Sequence, residues 1–135
     1  MWYDISLLNL EGKGYDDTKS PYDRLPERAE TVVRPPVWNL SQDSAGMCVR
    51  FVTNATRISA KWRLRKESLE MNHFPATGVS GLDLYVKTES GDWRWCGVGR
   101  PSNFPENTYN LVGGMAPETC EFMLYLPLYI TASSG

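Results

Sequence analysis

Apolar and polar residues alternate with period two along much of the chain, which predicts strands rather than helices. Over residues 57–65, Ile58, Ala60, Trp62 and Leu64 fall on one side, and Arg57, Ser59, Lys61, Arg63 and Arg65 on the other. That is the pattern of a strand with one wet face. Just upstream, Met47, Val49 and Phe51 alternate with Cys48, Arg50 and Val52, and the link Asn54-Ala55-Thr56 has the length of a hairpin loop. The two strands are therefore expected to pair antiparallel. Leu82, Leu84 and Val86 oppose Asp83, Tyr85 and Lys87, after which Glu89-Ser90-Gly91-Asp92 turns the chain into residues 93–98, a second hairpin. Further strands are expected at residues 4–10, 30–33, 108–112 and 121–129, and no segment carries three turns of helical periodicity. Short antiparallel strands without crossover helices imply an all-β fold, a β-sandwich of two packed antiparallel sheets. The missing Cys…Trp…Cys core disfavours a true immunoglobulin domain, but the pattern does not choose between the remaining sandwich topologies.

Composition adds mainly exclusions. A length of 135 residues suits one domain over residues 1–135, and 41% apolar with 22% charged residues is a globular balance. Fourteen Lys and Arg against sixteen Asp and Glu provide no broad positive field, so nucleic acid is not expected as a partner. The most apolar run, residues 122–130, is broken by Pro127 and falls short of the roughly 18 residues a membrane span needs. The first residues, Met1-Trp2-Tyr3-Asp4, lack the basic and apolar regions of a signal peptide. Cys48, Cys96 and Cys120 are odd in number and widely spaced, which favours buried thiols over a disulfide framework or a metal site. No cofactor and no metal are expected.

Catalytic chemistry finds little support. The one histidine, His73, lies seven residues before Ser80, yet Leu82 stands where a nucleophile elbow needs its second glycine, and Ser80 leads into a strand instead of a helix. The carboxylates Asp16 with Asp17, and Glu67 with Glu70, read as solvated loop residues, and the basic row Arg57, Lys61, Arg63 and Arg65 as a solvated sheet face charged against strand addition. The aromatics are more informative. Five tryptophans and seven tyrosines are many for this length, and such ring faces stack on the apolar C–H surfaces of sugars. Trp62 alternates with aliphatics and belongs to the core, whereas Trp93 and Trp95 share one face of a strand. The Gly-, Pro- and Asn-rich segments at residues 11–28, 39–47, 69–80 and 99–107 are the loops where recognition is expected.

Gly81-Leu82-Asp83-Leu84-Tyr85 reads as Gly-x-Asp-Leu-Tyr, and the blocks around it keep a consistent order. These are Val37-Trp38-Asn39-Leu40-Ser41, Ser44-Ala45-Gly46-Met47, residues 71–80, Trp93-Arg94-Trp95, Gly97-Val98-Gly99-Arg100-Pro101 and Leu124-Tyr125-Leu126-Pro127-Leu128-Tyr129. Over about residues 22–130 the chain resembles the GxDLY domain, the N-terminal domain of bacterial SGNH-hydrolase-type (GDSL-like) esterases. The resemblance implies a jelly-roll type β-sandwich ahead of a C-terminal SGNH hydrolase domain in the same polypeptide, in a secreted or periplasmic protein. Neither the Gly-Asp-Ser nucleophile block nor the Asp-x-x-His block of such a hydrolase occurs here, so no catalytic residue is assigned.

The expected role is a non-catalytic module that shapes the active site or positions an ester, plausibly glycosidic, substrate. The alternatives are a carbohydrate-binding module that tethers a hydrolase to polysaccharide, and a purely architectural or oligomerisation domain. Candidate substrate-binding residues are Trp38, Asn39, Ser44, Gly46, His73 and Thr77, on loops that combine an imidazole, amides and backbone donors. Gly81, Asp83 and Tyr85 are expected to be structural: Gly81 for close backbone approach, Asp83 to cap a loop or tie down an arginine, with Leu82 and Leu84 in the core.

Overall fold

Strands that are apolar on one side bury that side by stacking sheet on sheet. The computed structural model describes residues 2–65, 67, 80–127 and 132–133. Among these the strands are β1 (Leu10–Glu11), β2 (Cys48–Thr53), β3 (Ile58–Leu64), β4 (Leu82–Lys87), β5 (Trp93–Gly99), β6 (Glu106–Val112), β7 (Cys120–Tyr125) and β8 (Ala132–Ser133), with one short helix, α1 (Pro35–Ser41). They form a five-stranded sheet in the order β1-β2-β7-β4-β5 and a three-stranded sheet in the order β6-β3-β8, antiparallel throughout. The chain is a β-sandwich. Val49, Leu82, Leu84, Phe122 and Leu124 from the larger sheet meet Trp62, Leu64 and Leu111 from the smaller one in the buried core.

Where the sheets come closest, side chains give way to backbone. Gly97 of β5 lies against Leu111 of β6 so tightly that a methyl group there would overlap the Leu111 carbonyl. Gly99, two residues on, leaves room for the Trp62 ring and the Leu111 side chain. This side of the sandwich therefore closes on glycines.

The structure departs from the sequence reading in four places. β2 and β3 do not form a hairpin: β2 pairs with β1 and β7, while β3 lies in the other sheet between β6 and β8. A tight hairpin turn needs residues at positive φ, and among the described residues only glycines adopt one, so Asn54-Ala55-Thr56 serves as an arch between layers. The real hairpin, β4–β5, has Gly91 at φ 89° and closes with Thr88 N–H donating to Asp92 O at 2.7 Å. Residues 4–10 form a 3₁₀ turn at Ile5–Leu7 before the two-residue β1. Ile5 and Leu8, three apart, both pack on the core edge, a spacing that suits a turn and not an extended chain.

Residues 30–33 likewise continue a 3₁₀ turn (Glu27–Ala29), with the N–H groups of Val32 and Val33 both donating to Ala29 O. The segment expected to be a loop from residue 39 begins inside α1, whose first turn holds Pro35 and Pro36, where the missing N–H groups have no helical partner to lose. At the remaining strands only the ends differ, β6 starting at Glu106 and β7 ending at Tyr125.

The order of strands sorts the connections. The links β2–β3, β4–β5 and β6–β7 join strand ends at one end of the sandwich, while the strand ends that bound residues 12–47, 65–81, 100–105 and 126–131 lie at the other. The two longest connections, residues 12–47 and 65–81, thus join strands at the same end, called here the loop end. Gly97→Ala is expected to destabilise the fold by about 3 kcal/mol, since backbone and not a flexible side chain blocks the new methyl. Urea unfolding of the two proteins measures the difference.

Candidate functional site

Three consecutive residues fasten the longest connection to the sandwich. Tyr22 enters the hydrophobic core. Asp23, 1% exposed, accepts from Ser20 N–H through Oδ2 at 3.1 Å and pairs through Oδ1 with Arg65 Nη1 at 3.0 Å, just past the end of β3. Arg24 closes the C-terminus of α1: its N–H donates to Ser41 O at 2.8 Å and its guanidinium to Leu40 O. A cation at a helix C-terminus meets both the unpaired carbonyls and the negative end of the helix dipole.

The segment after α1 is fixed to the larger sheet. Ser44, with no exposed surface, donates from Oγ to Pro127 O at 2.9 Å, and Leu126 N–H donates to Met47 O at 3.0 Å. Gly46 takes φ 84° at the exposed turn into β2, and the adjacent Gly12 approaches the Gly46 carbonyl more closely than any side chain would allow. On the β4 side Ser80 is fully buried and its carbonyl accepts from Trp62 Nε1 at 3.1 Å. The connection between β5 and β6 is organised by buried Asn107, whose Oδ1 accepts from the N–H groups of Ser102 and Asn103 at 2.8 and 3.0 Å. Its Nδ2 donates to Asn103 O at 2.9 Å. The loop end is therefore a set of long connections held by buried, hydrogen-bonded polar groups, a rigid rim able to present backbone and side-chain donors.

Of the sequence-derived candidates, Trp38 and Asn39 lie on α1, Trp38 buried and Asn39 exposed, while Ser44 and Gly46 stand where the same connection enters β2. All four belong to the loop end. His73 and Thr77 lie outside the described residues. Gly81 is buried at the start of β4. Asp83 and Tyr85 sit elsewhere, on the outer face of the five-stranded sheet. Asp83 is half-buried beside Val98 and Tyr125, and its carboxylate makes no hydrogen bond or ion pair with a described residue, so the expected loop-cap or arginine-tether role is not what the structure gives it.

The arginine tether exists, but Asp23 provides it. Sequence reading missed Asp23, Arg65 as its partner, Asp43 and Asn107, all buried except Arg65. Alternation places Arg65 on the wet face of its strand but names no partner, Asp23, Asp43 and Asn107 fall on no pattern read from the sequence, and the only hint is a polar residue next to a core tyrosine in the case of Asp23. Arg63 and Lys61 are exposed as expected, Arg63 lying 3.5 Å from Glu106. The three cysteines are free, and burial raises the pKa of Cys48 and of Cys96. Among the described residues no cluster of His, Cys, Asp and Glu has the makings of a metal site, and no helix is long and apolar enough to cross a membrane.

A two-sheet antiparallel sandwich whose two longest connections join strands at the same end defines an all-β module. The family model for the GxDLY domain, the N-terminus of SGNH-hydrolase-type esterases, matches residues 1–134, and the chain belongs to that family. A crystal structure of a Bacteroides ovatus protein described as a GDSL-like lipase is similar, with a TM-score of 0.83 and 32% sequence identity over 93% of this chain. The match spans 36% of the length of that protein. No curated protein matches the chain.

Two measurements test this account of the loop end. Arg65→Ala leaves a buried carboxylate without its cation and is expected to cost about 3 kcal/mol, whereas Asp23→Asn keeps an acceptor and frees an arginine that reaches water, costing about 1–2 kcal/mol. Equal costs in denaturant titrations would show that the pair does not carry the connection. Burial first, and Asp4 second, push the Tyr22 hydroxyl from 10.0 up to about 12. Because the folded value is the higher one, this contribution is complete below pH 10 and disappears as pH rises toward 12. Relative to Tyr22→Phe, the native protein should lose on the order of 2 kcal/mol across that window, read from unfolding curves at each pH.

Proposed function

We propose that this chain is the non-catalytic accessory module of an SGNH-type esterase, and that its loop end adjoins the hydrolase domain and positions the ester substrate. The observation carrying this reading is convergence: the strand ends that bound residues 12–47, 65–81, 100–105 and 126–131 all lie at one end of the sandwich, where buried Asp23, Ser44 and Asn107 hold described parts of these connections in place. Rigid backbone at a domain junction lowers the entropy lost on ordering a substrate. Two further observations support it. The similar Bacteroides ovatus protein is far longer than the matched region, leaving ample chain for a hydrolase domain. Ser80, the only serine near a nucleophile motif, is fully buried with its carbonyl engaged by Trp62, a poor position for attack on an ester. Secretion or a periplasmic location goes with this reading.

The test uses the full-length esterase. Asn39→Ala and His73→Ala are each expected to lower kcat/KM about tenfold, with an unchanged melting temperature, if the loop end contacts substrate or the hydrolase domain. Ser80→Ala should leave kcat within about twofold once folding is verified. Unchanged kcat/KM in both loop variants, with a hydrolase domain that melts earlier when the module is removed, would reduce the module to a scaffold.

A further inference from the structure

The outer face of the five-stranded sheet has a composition its position does not require. Side chains alternate across a strand, so the registers of β2, β7, β4 and β5 arrange this face in rows. Tyr125, Asp83 and Val98 form the row nearest the loop end, Met123, Tyr85 and Trp95 the next, and Glu121, Lys87 and Trp93 the third. The two tryptophans reach this face through one irregularity. β5 carries an extra residue, Cys96, between Gly97, opposite Leu84, and Trp95, opposite Tyr85. Without that bulge the period of two would put Trp95 and Trp93 on the core side with Gly97. A bulge of this kind commonly re-aims a side chain toward a site. Here it leaves Trp95 60% exposed.

The electrostatics of the face narrow the choice of occupant. Apart from Asp83, its charges are spent on each other: Arg50 holds Glu11 at 2.6 Å and Glu121 at 3.7 Å, and Lys87 lies 3.4 Å from Glu121 and 5.8 Å from the centre of the Trp93 ring. An anionic partner would therefore find no cation left to pair with among these groups. What remains is a set of aromatic surfaces, Trp95, Trp93 and Tyr85 with Tyr125 set edge-on at 5.8 Å, beside the uncommitted carboxylate of Asp83. Same-face residues two apart on a strand are separated by roughly 7 Å, so Trp93 and Trp95 extend the surface along the strand. Aromatic faces receive apolar C–H surfaces, and a carboxylate accepts from neutral hydroxyl groups. Residues 132–133 pair with β3 in the opposite sheet, so the chain last described runs on the other layer and does not cross this face.

We propose that the outer face of the five-stranded sheet is a binding platform for a neutral oligosaccharide, with Trp95 and Trp93 stacking on pyranose rings and Asp83 accepting from their hydroxyl groups. This does not depend on the role of the loop end. The test takes the full-length protein and four probes, cellohexaose, xylohexaose, mannohexaose and the acidic hexagalacturonate, in calorimetric titrations. Saturable binding of at least one neutral probe is expected, weakened about tenfold or more by Trp95→Ala and by Trp93→Ala, and several-fold by Asp83→Asn. Trp2→Ala, at an exposed tryptophan that belongs to none of these strands, should leave binding unchanged. The proposal is overturned if no neutral probe binds, if only hexagalacturonate binds, or if Trp95→Ala has no effect. It is equally overturned if N-bromosuccinimide, followed by peptide mass spectrometry, oxidises Trp2 in the full-length protein and leaves Trp95 intact, since another part of the protein then covers the face.

Discussion

The indole of Trp62 joins the two sheets. It projects from β3 in the smaller sheet, occupies the space left by Gly99 of β5, and donates from Nε1 to the carbonyl of Ser80 as the chain enters β4. Burying a tryptophan removes on the order of 150–250 Å² from water, worth roughly 4–6 kcal/mol at about 25 cal/mol per Å². The hydrogen bond adds only about 1 kcal/mol, so packing supplies most of the stability and the bond sets the orientation of the ring. That orientation has a consequence at the loop end. It draws the end of β3 and Ser80, two residues before β4, together, and those flank the connection that contains His73.

The rest of the loop end follows from where β3 finishes. Arg65 stands one residue past the strand and reaches Asp23, so the long segment before β2 is tied to the sheet that Trp62 positions. Tyr22 and Arg24, on either side, commit the same stretch to the core and to the C-terminus of α1. Connections of this length are ordinarily the mobile part of a sandwich. Here buried polar groups with complete partners replace the ladder hydrogen bonds that a loop lacks, at Ser44, Asn107 and Asp23 alike.

How much of this could be read from the sequence depended on whether the information was periodic. The faces of β3, β4 and β5 were legible because alternation writes them directly, and the resemblance carried by Gly81 to Tyr85 led to the family that residues 1–134 match. The partner of β2 was not legible. Alternation states which side of a strand is buried and is silent on whether the next strand lies beside it or across the core. Residues 4–10, which hold the 3₁₀ turn at Ile5–Leu7, and residues 30–33, which follow the one at Glu27–Ala29, read as strands because so few apolar residues carry too little pattern to separate the two periods. The Asp23–Arg65 pair spans 42 positions and lies on no repeat, so only the folded chain brings it together.

The motif residues show how one strand serves two surfaces. Leu82 and Leu84 face inward and hold β4 in the core, while Asp83 and Tyr85 face outward on the far side of the sheet from that core. If core packing were the only constraint on this segment, β5 would need no bulge, and Trp93 and Trp95 would gain by turning inward. Exposing a tryptophan forgoes several kcal/mol of burial, and the inserted Cys96 interrupts the ladder besides. The adjacent charges are also neutralised within the sheet, which removes the usual means of keeping an exposed face free of nonspecific partners. The fold thus accepts both costs on one face while it buries its polar groups with partners at the loop end, so the two proposed roles, a junction at the rim and a ligand platform on the sheet, draw on separate parts of the sandwich.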